Sequence, residues 1–463
     1  MTKIHLLLGA SILVIFFTSC KTDAEKADAL RIKGKFYEAF ELYNKAANEG
    51  DGYAQWRLFN SYRFGEGVDY NEEKAKEFLL NAAKNGCDEA IWDLSLAYLA
   101  GEYGIDKDSV RGANLMKSIC EESKSAYVKA LYAGCLFFGK ASIDIDKEKA
   151  ELVMSKIRDR KDSKYLEVLG LMYWNGSKNY PKNMNKAIKN YKKAYKRGDS
   201  YCAFRIAWAY LYGNVDGIPR NISEGVNWLE KGIKMNSIAC MNELADLCLL
   251  EDSTFSKIHN PSKAIELYMQ AAKHGSADAY LSLGNLYFEG KYMPKDDKAF
   301  YEKMLKASEL GSSGGTYNVY WCYANGVGCE VDLAKSKEYL QKAADMGDVY
   351  ALRALYWNYY LGQNDTERDF DKAKKYLNLA ANSQDPESMY ILSKHYYWES
   401  VLFEQNYSQA FTYAKLAADK GWIDACALMA DFYENGIGCT KDPQKAKEYR
   451  DKTKAQENNK ESE

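Results

Sequence analysis

Few side chains in this sequence are placed to do chemistry at neutral pH. Beyond the first twenty residues the histidines are His259, His274 and His395. They lie far apart, without the helical spacing that a zinc site uses. No P-loop is present, and no S-x-x-K pairing of a serine with an activating lysine. Ten cysteines follow Cys20: Cys87, Cys120, Cys135, Cys202, Cys240, Cys248, Cys322, Cys329, Cys426 and Cys439. Cys202, Cys240 and Cys426 stand where a small apolar residue opens a helix, a natural place for a buried free thiol. An exported chain also permits disulfides, and Cys322 with Cys329 is the pair whose separation decides between the two. The set requires no metal and no cofactor, and the chain reads as a binding protein, not an enzyme.

Carboxylates and carboxamides do recur at regular intervals: Asn71, Asp108, Asp146, Asn183, Asn221, Asn260, Asp296, Asp332, Asp369, Asn406 and Asp442. Each precedes a run of good helix formers, so its side chain can accept orphan amide hydrogens of a first turn, worth about 1 kcal/mol per cap. They are helix caps rather than metal ligands or catalytic acids. Pro261 and Pro443 directly follow such caps, where a missing N–H costs nothing. Gly65-Glu66-Gly67, Gly326-Val327-Gly328 and Gly436-Ile437-Gly438 share letters with nucleotide-binding loops. No strand precedes them and no phosphate motif follows, so they are helix connections with positive φ.

The elements that carry these residues repeat. Ala54-x-x-x-Leu58-x-x-x-Tyr62 returns as Ala90/Leu94/Tyr98, Tyr165/Leu169/Tyr173, Ala279/Leu283/Tyr287 and Ala351/Leu355/Tyr359. The aromatic position steps through Tyr62, Tyr98, Phe137, Tyr173, Tyr210, Cys248, Tyr287, Tyr323, Tyr359, Tyr396 and Tyr433, at spacings of 36 to 39 residues. A second helix follows each copy, as in Lys74-Ala75…Ala82-Ala83…Gly86 and Lys263-Ala264…Ala271-Ala272…Gly275. A period in this range means a stack of helical hairpins, in which each unit packs on its neighbours and the core grows lengthwise. This accommodates 463 residues with only 6 prolines. The net charge of −2 gives no electrostatic reason to expect nucleic acid, whose phosphates need a concentrated basic surface.

These residues resemble the Sel-1-like repeat (SLR) family: A-x-x-x-L-G-x-x-Y, a G-x-G turn, D-x-x-K-A, then K-A-A-x-x-G. The resemblance spans roughly residues 35 to 452. It implies an all-α, right-handed α-α superhelix of about eleven tetratricopeptide-like repeats that scaffolds protein complexes. Ala29 to Gly50 resembles the related tetratricopeptide pattern, and irregularity is expected near Phe137 and Cys248. Cysteine-rich relatives staple each repeat with a disulfide, a pairing not regularly reproduced here. Some have been linked to β-lactam hydrolysis, which makes a weak β-lactamase-like hydrolase the third reading after protein binding and glycan binding.

A binding face follows from helical geometry. With the repeat Leu at 0° and about 100° per residue, positions six and two before the aromatic, and one and two after it, fall opposite the core stripe. They hold Trp56, Trp92, Trp174, Phe204, Trp208, Tyr317, Trp321, Trp357, Tyr390 and Trp398, with Asn60, Arg353, Lys394 and Asp431 as polar neighbours. On a concave surface such aromatics anchor a guest; packed against neighbouring first helices they are core. The first alternative places a protein or peptide, with a glycan such as peptidoglycan as the other candidate, in a groove between Trp174 and Trp398.

At the N-terminus, Lys3 and the apolar run Leu6 to Phe17 form a signal peptide too short to span a bilayer comfortably. Phe17-Thr18-Ser19-Cys20 resembles a bacterial lipobox, with Phe17 where Leu is usual. The expected organisation is a signal peptide over 1–19, a lipidated Cys20 and spacer to 28, a solenoid over 29–452 and a polar tail over 453–463. A diacylated, N-acylated cysteine would anchor the protein to a membrane of the bacterial cell envelope.

Overall fold

Each of the eleven Asp or Asn residues caps a helix. Asn71 Oδ1 accepts from the Lys74 amide at 2.9 Å, Asp332 Oδ1 from that of Lys335 at 2.9 Å, and Asp442 Oδ1 from that of Lys445 at 3.1 Å. The cap's own N–H donates back to the carbonyl of the repeat aromatic, from Asn71 to Tyr62 (3.0 Å) through to Asp442 to Tyr433 (2.8 Å). That bond ties the two helices of a hairpin together and corrects one register. Asp146 donates to Leu136, so Leu136 and not Phe137 holds the aromatic's place in its copy. The distance from aromatic to cap varies among copies, so either apolar residue satisfied the sequence pattern.

Seven of the eleven caps are followed three residues later by a lysine. Lys74, Lys335 and Lys372 hold their ammonium groups 5.2, 5.1 and 5.0 Å from the ring centroids of Tyr62, Tyr323 and Tyr359. In five copies the repeat ring also meets an aromatic of the second helix, as in Tyr62 on Phe78 and Tyr359 on Tyr376, stacked at 5.6 and 5.7 Å. In the glycine turns, Gly328 has φ +70°, and a Cβ there would overlap the carbonyl of Asp297 in the preceding hairpin. The glycine thus lets one turn seat on the start of an earlier helix.

The computed structural model describes residues 21–460 apart from 142, 214–216, 365 and 399. Among these residues it is helical throughout, with 24 helices paired as twelve hairpins. A first compact unit ends at Gly275 and a second begins at Ser276. The first unit opens with α1 (Asp23–Arg31) and α2 (Phe36–Asn48), α3 (Gly52–Phe64) and α4 (Glu72–Lys84), and α5 (Asp88–Ala100) and α6 (Ser109–Glu122). It continues with α7 (Ala126–Phe138) and α8 (Lys147–Lys156), then α9 (Ser163–Asn175) and α10 (Met184–Tyr195). It closes with α11 (Tyr201–Leu211) and α12 (Ile222–Ile233), and α13 (Ile238–Leu249) and α14 (Pro261–Lys273). The second unit contains α15 (Ala277–Glu289) and α16 (Asp297–Glu309), α17 (Ser313–Asn325) and α18 (Leu333–Asp345), and α19 (Val349–Leu361) and α20 (Phe370–Asn382). Its last hairpins are α21 (Pro386–Tyr397) with α22 (Tyr407–Asp419) and α23 (Ile423–Asn435) with α24 (Pro443–Lys460).

Three departures from the sequence reading have local causes. The spacer to residue 28 is helical from Asp23, because Thr22 and Glu25 form a reciprocal capping box and Ala24 and Ala27 bury one face. The polar tail extends α24 to Lys460, as a Lys-, Gln- and Glu-rich stretch is free to do. The irregular copy has a second helix of only ten residues, and α9 packs directly on α7 rather than on α8. The ten cysteines after Cys20 are all free thiols, six of them buried. Cys20 itself lies outside the described residues.

Candidate functional site

The hairpins of the first unit turn until the first two meet the last three. Arg31 Nη1 donates to the Gly198 carbonyl at 3.3 Å, and Lys273 pairs with Asp69 at 3.4 Å. His274 Nδ1 lies 2.8 Å from the carbonyl of Phe64. That oxygen can only accept, so Nδ1 carries the hydrogen. The closed turn surrounds a chamber of about 1200 Å³.

First helices build its wall. The position nine before the repeat aromatic contributes Tyr53, Glu89, Tyr127, Lys164, Tyr201 and Ala239, and the position five before it adds Arg57 and Asp93. On the wheel that starts from the repeat Leu these positions lie at about 220° and 260°. The chamber axis is therefore rotated about 50° from the face drawn opposite the Leu.

Buried polar networks hold this wall in place. Arg31 makes a two-pronged contact with Glu66, at 2.7 and 3.0 Å. Arg57 pairs with Asp28 at 3.0 Å, and Asp28 also accepts the hydroxyls of Tyr43 (2.6 Å) and Tyr53 (2.9 Å). Burial pushes both phenols well above their usual range, so they stay protonated as donors. Glu167 accepts from Lys164 and, at 3.0 and 3.2 Å, from Arg205; Lys164 also reaches Asp199 at 3.4 Å. Burial pushes Glu167 up, but Lys164 and then Arg205 outweigh it and hold its carboxyl below the ordinary value. Trp56 Nε1 donates to Asp93 at 2.7 Å, and burial raises the Asp93 carboxyl.

The aromatics expected on one groove have several fates. Trp92 is 2% exposed and packed with Met116, Ile119 and Val128, so it is core and presents nothing to a guest. Trp56 borders the chamber but is 3% exposed, its ring edge-on to Tyr127. The cause is shared: six before the aromatic is about 160° from the Leu, a direction that faces the next first helix. Trp174 leans half-buried on Tyr191 and Trp208, Phe204 lies against Tyr201, and Trp208 is largely exposed.

Within the second unit, Tyr317 packs with Tyr320 and Tyr350, and Trp321 sits between Phe288 and Phe300. Arg353 is consumed by Asp385 and Glu387. Trp357 and Trp398 are open to solvent, and Lys394 lies over Tyr390 and Trp398. The stretch from Trp174 to Trp398 is thus divided, with Trp174 and Trp208 in one unit and Trp321, Trp357 and Trp398 in the other. Asn60 lines the chamber and Asp431 is exposed. The charged wall was missed, although Tyr53, Tyr127 and Tyr201 carried a signal in their shared offset from the repeat aromatic.

Burial disfavours the thiolate form of the cysteines. Burial pushes the Cys120 and Cys322 thiols up to about 12 and Cys135 to about 11, so they are not thiolates at neutral pH. Gly311-Ser312-Ser313-Gly314-Gly315 carries the letters of a nucleophile elbow. Its central serine, Ser313, is the first residue of α17 and follows helix α16, not the strand on which such an elbow is built. His395 bonds the Tyr356 hydroxyl at 2.8 Å. Among the described residues, no three His, Cys, Asp or Glu side chains cluster as a metal site.

A family model described as Sel1 repeat matches eleven segments between residues 33 and 449, with none over 124–166, the stretch of the irregular copy. Chitin synthase regulatory factor 3 of Schizosaccharomyces pombe is 38% identical over 109 residues, 23% of this chain and 12% of that protein. An uncharacterized protein of Neisseria meningitidis serogroup B is 22% identical over 331 residues, 71% of this chain and 66% of that one. The chain thus spans less than two thirds of the length of each. Among solved structures, a protective antigen of uropathogenic Escherichia coli with an SLR fold aligns at 21% identity and a TM-score of 0.41. That alignment covers 89% of this chain and 86% of the antigen.

Proposed function

Because the chain belongs to the Sel1 repeat family, whose members generally mediate protein–protein interaction, we propose that it is an adaptor holding a segment of a partner protein in the chamber of its first unit. The chamber carries this reading. Its volume of about 1200 Å³ exceeds the roughly 300–1,000 Å³ of small-molecule sites. Its wall joins three tyrosine rings to side chains already fixed by ion pairs, so little ordering cost falls on binding.

In this proposal the protein is lipid-anchored through Cys20 to a membrane of the bacterial cell envelope, as the lipobox-like sequence suggests. A second reading, glycan binding, draws support from the second unit, where Tyr350, Trp357 and Trp398 expose flat rings suited to sugar faces.

A photo-crosslinking residue at Ala239, which lines the chamber, tests the proposal in cells expressing the full chain. Adducts carrying peptide from a partner, lost when Ala126 is also replaced by Trp to fill the chamber, are expected. Adducts made only from position 357, and consisting of glycan, would refute it in favour of the second reading.

A further inference from the structure

The chamber's charges are unevenly committed. Nine cationic and six carboxylate side chains line it, a local surplus of three cations in a chain of net charge −2. Every one of the six carboxylates has a donor within the protein. Glu66 is held by Arg31 and Asp199 by Lys164. Asp93 accepts from Trp56, and Glu89 accepts the Ser125 hydroxyl at 2.6 Å. Asp162 caps α9, and Asp159 accepts the Lys161 amide. The cations divide differently. Arg31, Arg57 and Lys164 are paired. Among the described residues Arg63, Lys124, Lys129, Lys156, Arg158 and Arg197 have no carboxylate within 4.0 Å, and of these Arg63 lies over the rings of Phe59, Phe64 and Tyr103.

Backbone adds the same sign. The first residues of α7, α9, α11 and α13 (Ala126, Ser163, Tyr201 and Ile238) all line the chamber, so four helix N-termini bring partial positive charge to it.

We infer that the segment bound in the chamber is an acidic peptide, its carboxylates meeting the six cations that lack a carboxylate partner while its backbone and side chains lie against Tyr53, Tyr127 and Tyr201. This rests on the reading of the chamber as a peptide site and specifies the peptide's chemistry. A polyanion with a charge on every unit fits less well. The wall alternates its cations with fixed carboxylates, Glu89, Asp93 and Asp162 among them, which repel a continuous line of phosphates. A chain with carboxylates at intervals places its charges opposite the cations alone. The surplus also steers such a chain toward the chamber, an effect that salt screens.

Fluorescence anisotropy with the full chain separates the possibilities. The probes are labelled twelve-residue peptides, (Glu-Ser-Gly)4, (Gln-Ser-Gly)4 and (Lys-Ser-Gly)4, with inorganic polyphosphate of equal charge as competitor. The Glu peptide should bind about tenfold or more tightly than the Gln peptide at low salt, and lose this advantage as salt rises. Arg63→Gln with Arg197→Gln should weaken it about tenfold. Lys124→Gln with Lys129→Gln gives an independent second variant, and Lys415→Gln with Lys447→Gln, on exposed sites of the second unit, should change nothing. Equal or tighter binding of the Gln or Lys peptide would overturn the acidic assignment and leave the peptide site standing. Tighter binding of polyphosphate than of the Glu peptide would overturn the peptide in favour of a phosphate polymer. Failure of all three peptides would remove the peptide site itself.

Discussion

Replacing Glu167 by Gln probes whether the chamber wall is held by buried charge. The Glu167 side chain is 7% exposed, and it accepts from Lys164 and Arg205 together. Its neutral amide leaves two cations to share Asp199. Removing one partner of a buried pair costs about 3–5 kcal/mol. Lys164 and Arg205 keep 18% and 26% exposure and Asp199 remains, so the low end, about 3 kcal/mol, is expected. For a unit of this size that is a fall of about 6–12 °C in Tm. The carboxyl of Glu167 is depressed in the folded state, so its stabilisation is present above the unfolded-state value and lost as pH falls through the folded one. The gap between wild type and variant should be full at pH 7 and close in acid, below about pH 4. Urea unfolding followed by far-UV circular dichroism, at both pH values, measures it. A difference under about 0.5 kcal/mol at pH 7, or a gap that widens in acid, would refute the reasoning.

Three further outcomes are expected. Burial, and then Lys394, lower the His395 imidazole to about 4. The unfolded chain therefore takes up a proton as pH drops below about 6.5 while the folded one does not. Discounted for partial exposure, His395 should make the protein about 1 kcal/mol less stable at pH 5 than at pH 7, and His395→Gln should remove that share of the acid sensitivity in urea titrations. Gly328→Ala adds a Cβ at φ +70° against the Asp297 carbonyl; a loss of about 2 kcal/mol or more is expected, read from the denaturation midpoint, whereas Gly50→Ala meets no neighbour and should cost only its backbone strain. Metabolic labelling with an alkyne fatty acid should mark the full chain and not its Cys20→Ala variant; equal labelling of both would end the lipid-anchor proposal.

Periodic features were legible from sequence because they are local. A cap such as Asn71 works through the amide three residues on, and the repeat Leu and Tyr report burial through their spacing alone. The repeat number, the helix order and the role of each Asp or Asn followed. One register slipped, at Leu136 and Phe137, because two adjacent apolar residues satisfied the same spacing. The helix of residues 23–31 was overlooked, although Thr22 and Glu25 already spelled its capping box.

The site required longer-range information. A helical wheel separates the buried stripe from its opposite, but it cannot say how far the next hairpin is rotated, and that rotation of about 50° decided that Trp92 is core while Tyr127 and Lys164 face a chamber. Closure depended on residues as distant as Phe64 and His274 meeting, a consequence of small rotations summed over seven hairpins. What repeats, and what each repeat buries, is written in local spacing; which side chains surround a common space depends on angles between units that no single repeat encodes.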